Sequence, residues 1–367
     1  MSENEIIALL RLLRVPNIGD VTAKKLIASC GSPTAIFEDK PHHLLKLEGI
    51  GKATLKGLHD RKHRLAAERE FEFIKSNDIG VSCFWDADYP HYLKHCIDAP
   101  VLLFKKGNIA IEGQKIISVV GTRNVTSHGL AFCESLIAEI APLNPIIVSG
   151  FAYGVDIAVQ RAAINHGLQT IGCLAHGLNQ IYPRAHNKYR AGVERNGGFI
   201  TEFWSTSTPE RENFLRRNRI IAGISEATIV VESGEKGGSL VTADIANSYN
   251  RDVFAVPGRA TDMYSIGCNN LIKQQKAHLL TSAADLIYLL GWEIDKKPKR
   301  DIQKQLFVEL DAIEEKIYTY LQAQGKQLLD TLALDCKLPI FKASATLIAM
   351  EMKGVIRPLP GKMFEAI

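Results

Sequence analysis

Residues 116–123 read IISVVGTR, a β-branched apolar run that ends in glycine, threonine and arginine. Nearly continuous apolar character over five residues is typical of a strand buried on both faces, as strands of a parallel sheet are. Comparable runs occur at residues 146–148, 170–174, 199–201, 227–231 and 252–256. Because longer amphipathic stretches separate them, the pattern predicts an α/β domain with a Rossmann-like, doubly wound, mostly parallel sheet.

Short helical patterns precede this core. Residues 15–19 (VPNIG) and 47–52 (LEGIGK) resemble helix-hairpin-helix elements, in which glycine lets backbone N–H groups at a helix N-terminus approach a DNA phosphate. Similar turns also serve as packing corners, so DNA contact by this region is left open. We predict an N-terminal helical domain of the helix-hairpin-helix or SAM-like type.

The chain after the core has a different character. Residues 295–301 (DKKPKRD) are charged, carry a proline and lack apolar periodicity, which is typical of a linker. Three helical patterns and a β-hairpin over residues 354–361 then predict a winged-helix-like domain, whose acidic start favours a protein partner over DNA. The predicted divisions are 1–75, 76–292, a linker at 293–305, and 306–367.

The composition is that of a folded protein, with 46% hydrophobic and 23% charged residues. A formal net charge of +4 is compatible with a phosphate-bearing partner but too mild to identify one. Seven cysteines without a CxxC pair argue against a zinc ribbon or disulfide framework and favour reduced core thiols. The N-terminus lacks a secretory signal, and no apolar run approaches membrane-spanning length, so we expect a cytoplasmic protein without a membrane segment.

Glycine-rich loops follow three of the predicted strands, at residues 121–123, 149–156 and 232–240. A strand, a glycine turn and a helix N-terminus together form an anion site, and parallel strands bring such loops to one edge of the sheet. The GxGxxG fingerprint is absent, which gives NAD little support, and no histidine or cysteine spacing matches a metal site. We therefore predict neither a cofactor nor a metal.

Arginines are dense in residues 213–223 (NFLRRNRIIAG), with three in four positions. Such density suits phosphate contacts and stacking on bases. An internal ion pair to Glu202 or Glu232 is the plain alternative for one of the three. We expect Arg123→Ala and Arg217→Ala to weaken phosphate binding without unfolding the domain, and Phe151 or Phe214 to stack a base.

Seven strings carry a family resemblance, in this order: SVVGTR, SGFAYGVD, GLNQIYP, GGFITEF, RRNRIIAGIS, VVESGEKGGSLVTADIA and RDVFAVPG. They resemble the DNA-processing protein A family (DprA or Smf) over about residues 88–285, and the flanking domains are the family's usual companions. Gln160 departs from the family, which commonly has histidine there. That departure counts against histidine catalysis and matters little for binding.

The resemblance implies single-stranded DNA binding by the Rossmann-like domain, homodimers, and protection of incoming DNA with loading of the RecA recombinase in natural transformation. Duplex DNA would bind more weakly, and no catalytic residue is implied. The residues expected to bind DNA are Gly121, Arg123, Ser149, Gly150, Arg184, Lys188, Arg217, Asn218, Arg219, Lys236, Gly237, Gly238 and Ser239.

An enzymatic function is the alternative. Related Rossmann-like domains with Gly-Gly-Ser/Thr loops and a nearby glutamate cleave the N-glycosidic bonds of nucleotides, and Glu232 with residues 237–239 is a partial match. Against it, no second carboxylate is obviously paired with Glu232 as acid and base. Residues 259–270 would form either a lid over the pocket or a loop packed on the sheet end.

Overall fold

The computed structural model describes residues 1–292 and 310–367. They form two compact units, Met1–Thr281 and Ser282–Ile367. The predicted linker at 293–305 lies outside the described residues, as does the start of the predicted domain 306–367. The predicted boundary at 75/76 falls inside the first unit, so the division of the chain into domains stays a prediction.

Six helices begin the first unit: α1 (Glu3–Leu13), α2 (Asp20–Cys30), α3 (Ala35–Glu38), α4 (Pro41–Leu44), α5 (Lys52–Leu55) and α6 (Arg61–Ser76). A capping box of Ser2 and Glu5 starts α1. Gly19 of the first hairpin motif and Gly51, the last glycine of the second, are the N-caps of α2 and α5 and supply no capping side chain. The N–H groups of both first turns are therefore left without a side-chain acceptor.

The remainder of this unit alternates strands and helices. In chain order its elements are β1 (Gly80–Cys83), α7 (His91–Lys94), β2 (Leu102–Gly107), β3 (Ile116–Gly121), α8 (Ser127–Ile140), β4 (Ile146–Ser149), α9 (Val155–Asn165), β5 (Thr170–Cys173), α10 (Arg190–Arg195), β6 (Gly197–Thr201), α11 (Arg211–Ile224), β7 (Ala227–Val231), α12 (Gly238–Ser248), β8 (Asp252–Ala255), α13 (Ile266–Lys273) and β9 (His278–Leu279). Short 3-10 helices occupy Ala141–Leu143 and Arg184–Tyr189.

The strands form one nine-stranded sheet in the order β1-β2-β6-β5-β4-β3-β7-β8-β9. Only the pairs β1–β2 and β2–β6 are antiparallel within it. The predicted mostly parallel, doubly wound sheet is thus confirmed. The next strand after β3, which is β4, lies on one side of β3, and β7 lies on the other. This reversal of strand order is the point at which open α/β sheets bind ligands.

Polar contacts fix the helical region to the sheet. The Val101 N–H donates to Asp20 Oδ1 at 2.8 Å, and the Ser205 N–H donates to Glu70 Oε1 at 2.7 Å.

All seven cysteines are free, and six of them are buried. Burial raises the pKa of Cys133 and Cys173 to about 12, which makes these thiols unreactive, as predicted for reduced core residues.

The second unit consists of α14 (Ala283–Leu289), α15 (Ala312–Gln324), β10 (Gln327–Leu328), α16 (Leu329–Asp335), α17 (Ile340–Met352), β11 (Ile356–Leu359) and β12 (Met363–Ala366). Its sheet has the order β10-β12-β11, and Ile317, Leu332, Leu347 and Ile356 contribute to its core. This confirms the winged-helix prediction.

None of the helices in residues 1–292 and 310–367 is long and apolar enough to span a bilayer.

Candidate nucleic-acid interface

A cavity of about 790 Å³ opens at the carboxyl edge of the sheet, beside β3. Its walls come from the loops after β3, β4 and β7 and from the first turns of α11 and α12. We call it the loop cavity. The predicted site residues that line it are Gly121, Arg123, Arg217, Asn218, Lys236, Gly237, Gly238 and Ser239. The convergence of these loops follows from the parallel sheet, because parallel strands all end at one edge.

Five predicted residues do not line the loop cavity, and three of them, Ser149, Gly150 and Arg219, are buried. Ser149 is fully buried, and its Oγ donates to the carbonyl of Val119 at 2.7 Å. Gly150 lies beneath the cavity, where its N–H donates to Asp156 Oδ2 at 3.1 Å. Arg219 is buried, and its Nη2 lies 2.6 Å from Glu202 Oε2. The expectation that Ser149, Gly150 and Arg219 line the pocket is therefore wrong.

Helix geometry explains why Arg217 and Arg219 differ. Each residue turns an α-helix by about 100°, so two positions place these side chains on nearly opposite faces of α11. Arg219 also lies 3.2 Å from Asp20 of α2 and so joins the helical region to the sheet. The plain alternative for one of the three arginines, an ion pair to Glu202, is what Arg219 forms, and the exposed Arg216 pairs with the same carboxylate.

Arg184 and Lys188 lie on the 3-10 helix Arg184–Tyr189, and both side chains are exposed. Neither belongs to the lining of the loop cavity. Between them, His186 is buried and its Nδ1 lies 2.9 Å from the Phe151 carbonyl oxygen, which attaches this helix to the loop after β4. That the two cations extend the basic groove stays a prediction.

Arg217 forms the floor of the loop cavity. Its Nη1 donates to the carbonyl of Gly150 at 2.7 Å and to that of Cys173, and its guanidinium faces Asp156. Burial lowers the pKa of Arg217 and raises the pKa of Asp156. The charge of Asp156 acts against the shift of Arg217, and the charge of Arg217 acts against the shift of Asp156. Because a guanidinium stays charged even then, Arg217 is a buried cation that ties the glycine loops together.

Gly150 has to be glycine for this arrangement to form. A Cβ at that position would lie 2.6 Å from Asp156 Oδ2 and 2.7 Å from Arg217 Nη1. Both distances are below normal van der Waals separation, so any side chain would push the carboxylate and the guanidinium away from the loop. The glycine acts in folding, because it lets Arg217 approach the backbone.

Accessible cations and one aromatic ring form the mouth of the loop cavity. Arg123, Arg211 and Lys236 are exposed and line it. The guanidinium carbon of Arg123 lies 5.7 Å from the ring centroid of Phe214, and that of Arg217 lies 5.8 Å from it. Phe214 is therefore flanked by two cations at distances that allow cation–π attraction.

Sequence reasoning missed Arg211 and was wrong about Phe151. Arg211 precedes Phe214 and Leu215 by three and four residues, a spacing that places all three on one helical face, and this signal could have identified it. Phe151 is fully buried and its ring lies 5.0 Å from that of Phe199, so it cannot stack on a base. Phe214 remains the aromatic residue available for stacking.

The N-terminus of α12 opens into the loop cavity. Gly237 is its N-cap and provides no side-chain hydrogen bond, and Gly237, Gly238 and Ser239 line the cavity. Uncapped N–H groups and the helix dipole favour an anion there.

The segment 259–270 packs beside this loop, since the Ser233 N–H donates to the Tyr264 carbonyl at 2.6 Å. Packing on the sheet end, one of the two expectations for this segment, is what the structure shows.

Glu232, the acid of the enzymatic hypothesis, is occupied elsewhere. Its carboxylate accepts the Thr126 N–H at 2.8 Å and the Thr126 hydroxyl, and it lies at the start of α8. It is not among the residues that line the loop cavity. These contacts give Glu232 a structural role.

Within residues 1–292 and 310–367, no cluster of metal-ligating side chains occurs.

Comparison with known proteins shows the family to which the chain belongs. The family model described as DNA recombination-mediator protein A matches residues 80–291. The DprA winged helix domain matches residues 304–362, and a SAM-like helix-hairpin-helix tandem matches residues 9–61. The DNA processing protein DprA of Bacillus subtilis (strain 168) is 39% identical over 241 residues, covering 65% of this chain and 76% of that protein.

Two solved structures resemble the fold. The X-ray structure of DNA processing protein A from Streptococcus pneumoniae has a TM-score of 0.64 at 28% identity and covers 78% of this chain and 97% of its own. A structure described as showing the single-stranded DNA binding mode of DNA processing protein A from Helicobacter pylori has a TM-score of 0.53 at 27% identity, with 58% and 95% covered. The chain therefore belongs to the DNA recombination-mediator protein A family, also known as DprA or Smf.

Proposed function

We propose that this protein is a non-catalytic mediator of DNA recombination that holds single-stranded DNA in the loop cavity. The observation that carries the proposal is the set of three accessible cations, Arg123, Arg211 and Lys236, around one cavity at the carboxyl edge of the sheet. Cationic side chains and helix N-termini bind backbone phosphates whatever the base sequence. The binding mode described for the relative from Helicobacter pylori supports the same ligand.

Preference for a single strand follows from the shape and aromatic content of the loop cavity. Phe214 is half-buried at its mouth, where an unstacked base could lie on the ring. Bases of a duplex are already stacked and paired, so they cannot reach the ring without an energetic cost. The site therefore predicts weak base preference and weaker binding of duplex DNA.

The test is a competition experiment with a fluorescent single-stranded oligonucleotide, against unlabelled single strands and duplexes of the same length. We expect single strands to compete better and Arg123→Ala to weaken binding. The matched control is Arg195→Ala, which removes an exposed charge at the end of α10, at the opposite edge of the sheet. Equal effects of the two substitutions would contradict the assignment of the loop cavity.

The finer part of the proposal concerns partners and location. We propose that the protein works as a homodimer in the cytoplasm, protects incoming DNA and helps load RecA during natural transformation. The family's description as a recombination mediator and the seven free cysteines, typical of a reducing compartment, support it. RecA filament formation on single strands, with and without this protein, tests the loading step, and sedimentation tests the dimer.

Absence of catalysis is also part of the proposal, and the engagement of the Glu232 carboxylate by Thr126 supports it. Incubation with nucleoside monophosphates should release no free base. Released base that disappears in Glu232→Gln would instead favour the hydrolase.

A further inference from the structure

A second cavity, of about 450 Å³, lies between the helical region and the sheet. Its walls are the turn between α1 and α2, which contains the first hairpin motif, the segment after β6, and Arg216 of α11. We call it the hairpin cavity. The second hairpin motif matches the helix-hairpin-helix pattern better, yet it is the first that opens on a cavity shared with the α/β core.

The side chains of the hairpin cavity suit a nucleotide. Arg14 is exposed, and its guanidinium carbon lies 5.4 Å from the ring centroid of Trp204. The side chain of Arg216 is 57% exposed. Gly19, which starts α2 without a capping side chain, also lines the cavity. Two cations and an uncapped helix N-terminus bind phosphate, and a half-buried indole ring offers a surface on which a base stacks.

Glu202 provides an independent sign of a ligand. Its side chain is 5% exposed and lines the hairpin cavity, and its Oε2 accepts from Arg216 at 2.8 Å and from Arg219 at 2.6 Å. No donor among the residues that the structure describes reaches its Oε1. A buried acceptor without a donor is costly. If Arg216 turns toward a phosphate, the carboxylate is uncovered and can accept from a base amino group.

The two cavities are close enough to hold one strand. Ser207 lines the hairpin cavity and Arg211 lines the loop cavity, and four residues span at most about 14 Å. The loop before the 3-10 helix also joins them. Gln180 Nε2 donates to the Ser207 carbonyl at 3.1 Å, and the ring of Tyr182 lies 5.8 Å from that of Phe214.

We propose that the hairpin cavity is a second nucleotide site, which binds the continuation of the strand held in the loop cavity. Arg14 and Arg216 bind its phosphate, Trp204 stacks its base, and Glu202 accepts from its amino group. This proposal rests on the proposed function, because the first part of the strand occupies the loop cavity. It assigns the first hairpin a role in DNA binding that is separate from its packing role.

The experiment measures the affinity of the full chain for fluorescent oligonucleotides of about 4 and about 16 nucleotides, the range that single-strand binding folds cover. Arg14→Ala should weaken binding of the long oligonucleotide and lower the slope of log K against log salt by about 0.7. Trp204→Leu should weaken it about 5-fold or more. Neither change should affect the short oligonucleotide, and Arg195→Ala is the control for lost charge.

Circular dichroism tests whether Trp204→Leu is folded. Arg14→Ala alters an exposed side chain, so this variant stays informative if Trp204→Leu does not fold. Equal binding of the long oligonucleotide by wild type and Arg14→Ala would overturn the second site, while loss of affinity in Arg123→Ala would leave the proposed function standing. Failure of the wild type to bind either oligonucleotide would overturn both proposals.

Discussion

Arg217→Ala should unfold the first unit more easily, beyond any effect on DNA binding. Arg217 is buried, donates to the carbonyls of Gly150 and Cys173, and faces the buried Asp156. Alanine would leave the two carbonyls without this donor and would remove a positive charge near the buried carboxylate. Each buried acceptor left without a donor costs about 1–3 kcal/mol, so the two together should cost about 2–6 kcal/mol. Since a folded domain is stable by about 5–15 kcal/mol, this is a large fraction of the free energy of unfolding.

Thermal melting followed by circular dichroism measures this effect. At about 2–4 °C per kcal/mol for a unit of this size, the melting temperature should fall by roughly 4–24 °C. Arg123→Ala is the matched control, because that side chain is exposed and its loss should change stability by less than about 0.5 kcal/mol. The expectation from sequence, that Arg217→Ala weakens binding while the domain stays folded, is the competing one. A variant that melts with the wild type would support it and refute the present reasoning.

Three further predictions follow from the contacts described. Arg219→Ala should lower the free energy of unfolding by about 3–5 kcal/mol, because it breaks a buried ion pair with Glu202. Arg216→Ala, on the same helix but exposed, should lower it by at most about 1 kcal/mol. Urea unfolding of both variants measures this difference. Gly150→Ala should lower the melting temperature. Gly238→Ala should melt like the wild type, because the atom nearest to a Cβ at that position lies 3.9 Å away. If the melting curves of the two variants coincide, the close approach at Gly150 is contradicted. Hydrogen bonds from two backbone N–H groups lower the pKa of Asp311, the N-cap of α15. The ionised carboxylate therefore stabilises the second unit fully above the unfolded pKa of 3.8, and this stabilisation is lost as the pH falls. In calorimetry, the transition of the second unit in Asp311→Ala should lie below that of the wild type at pH 7 and merge with it in acid.

The sequence was most informative where burial on both faces leaves a continuous apolar run. Residues 227–231 were located to the residue, and the other five predicted strands to within about two residues. The strands β1, β2 and β9 were not named, because they lie at or toward the sheet edges and carry polar residues.

The sequence predicted the position of the loops better than the direction of their side chains. Parallel strands force their carboxyl ends to one edge, so the convergence of three loops could be deduced. The rotation of α11 could not be, and it separates Arg217 from Arg219. Phe151 turns inward with a positive φ of 58°, a backbone conformation that composition does not reveal. Tertiary packing therefore decided which predicted residues line the loop cavity.

The most direct test of the central claim is photo-crosslinking of the wild-type protein to a single-stranded oligonucleotide that carries 5-iodouracil, followed by peptide mapping. We expect crosslinks in peptides that contain Phe214 and the loops at residues 121–125 and 233–239, and loss of these crosslinks in Arg123→Ala. Crosslinks confined to the winged-helix unit, with these peptides unmodified, would contradict it.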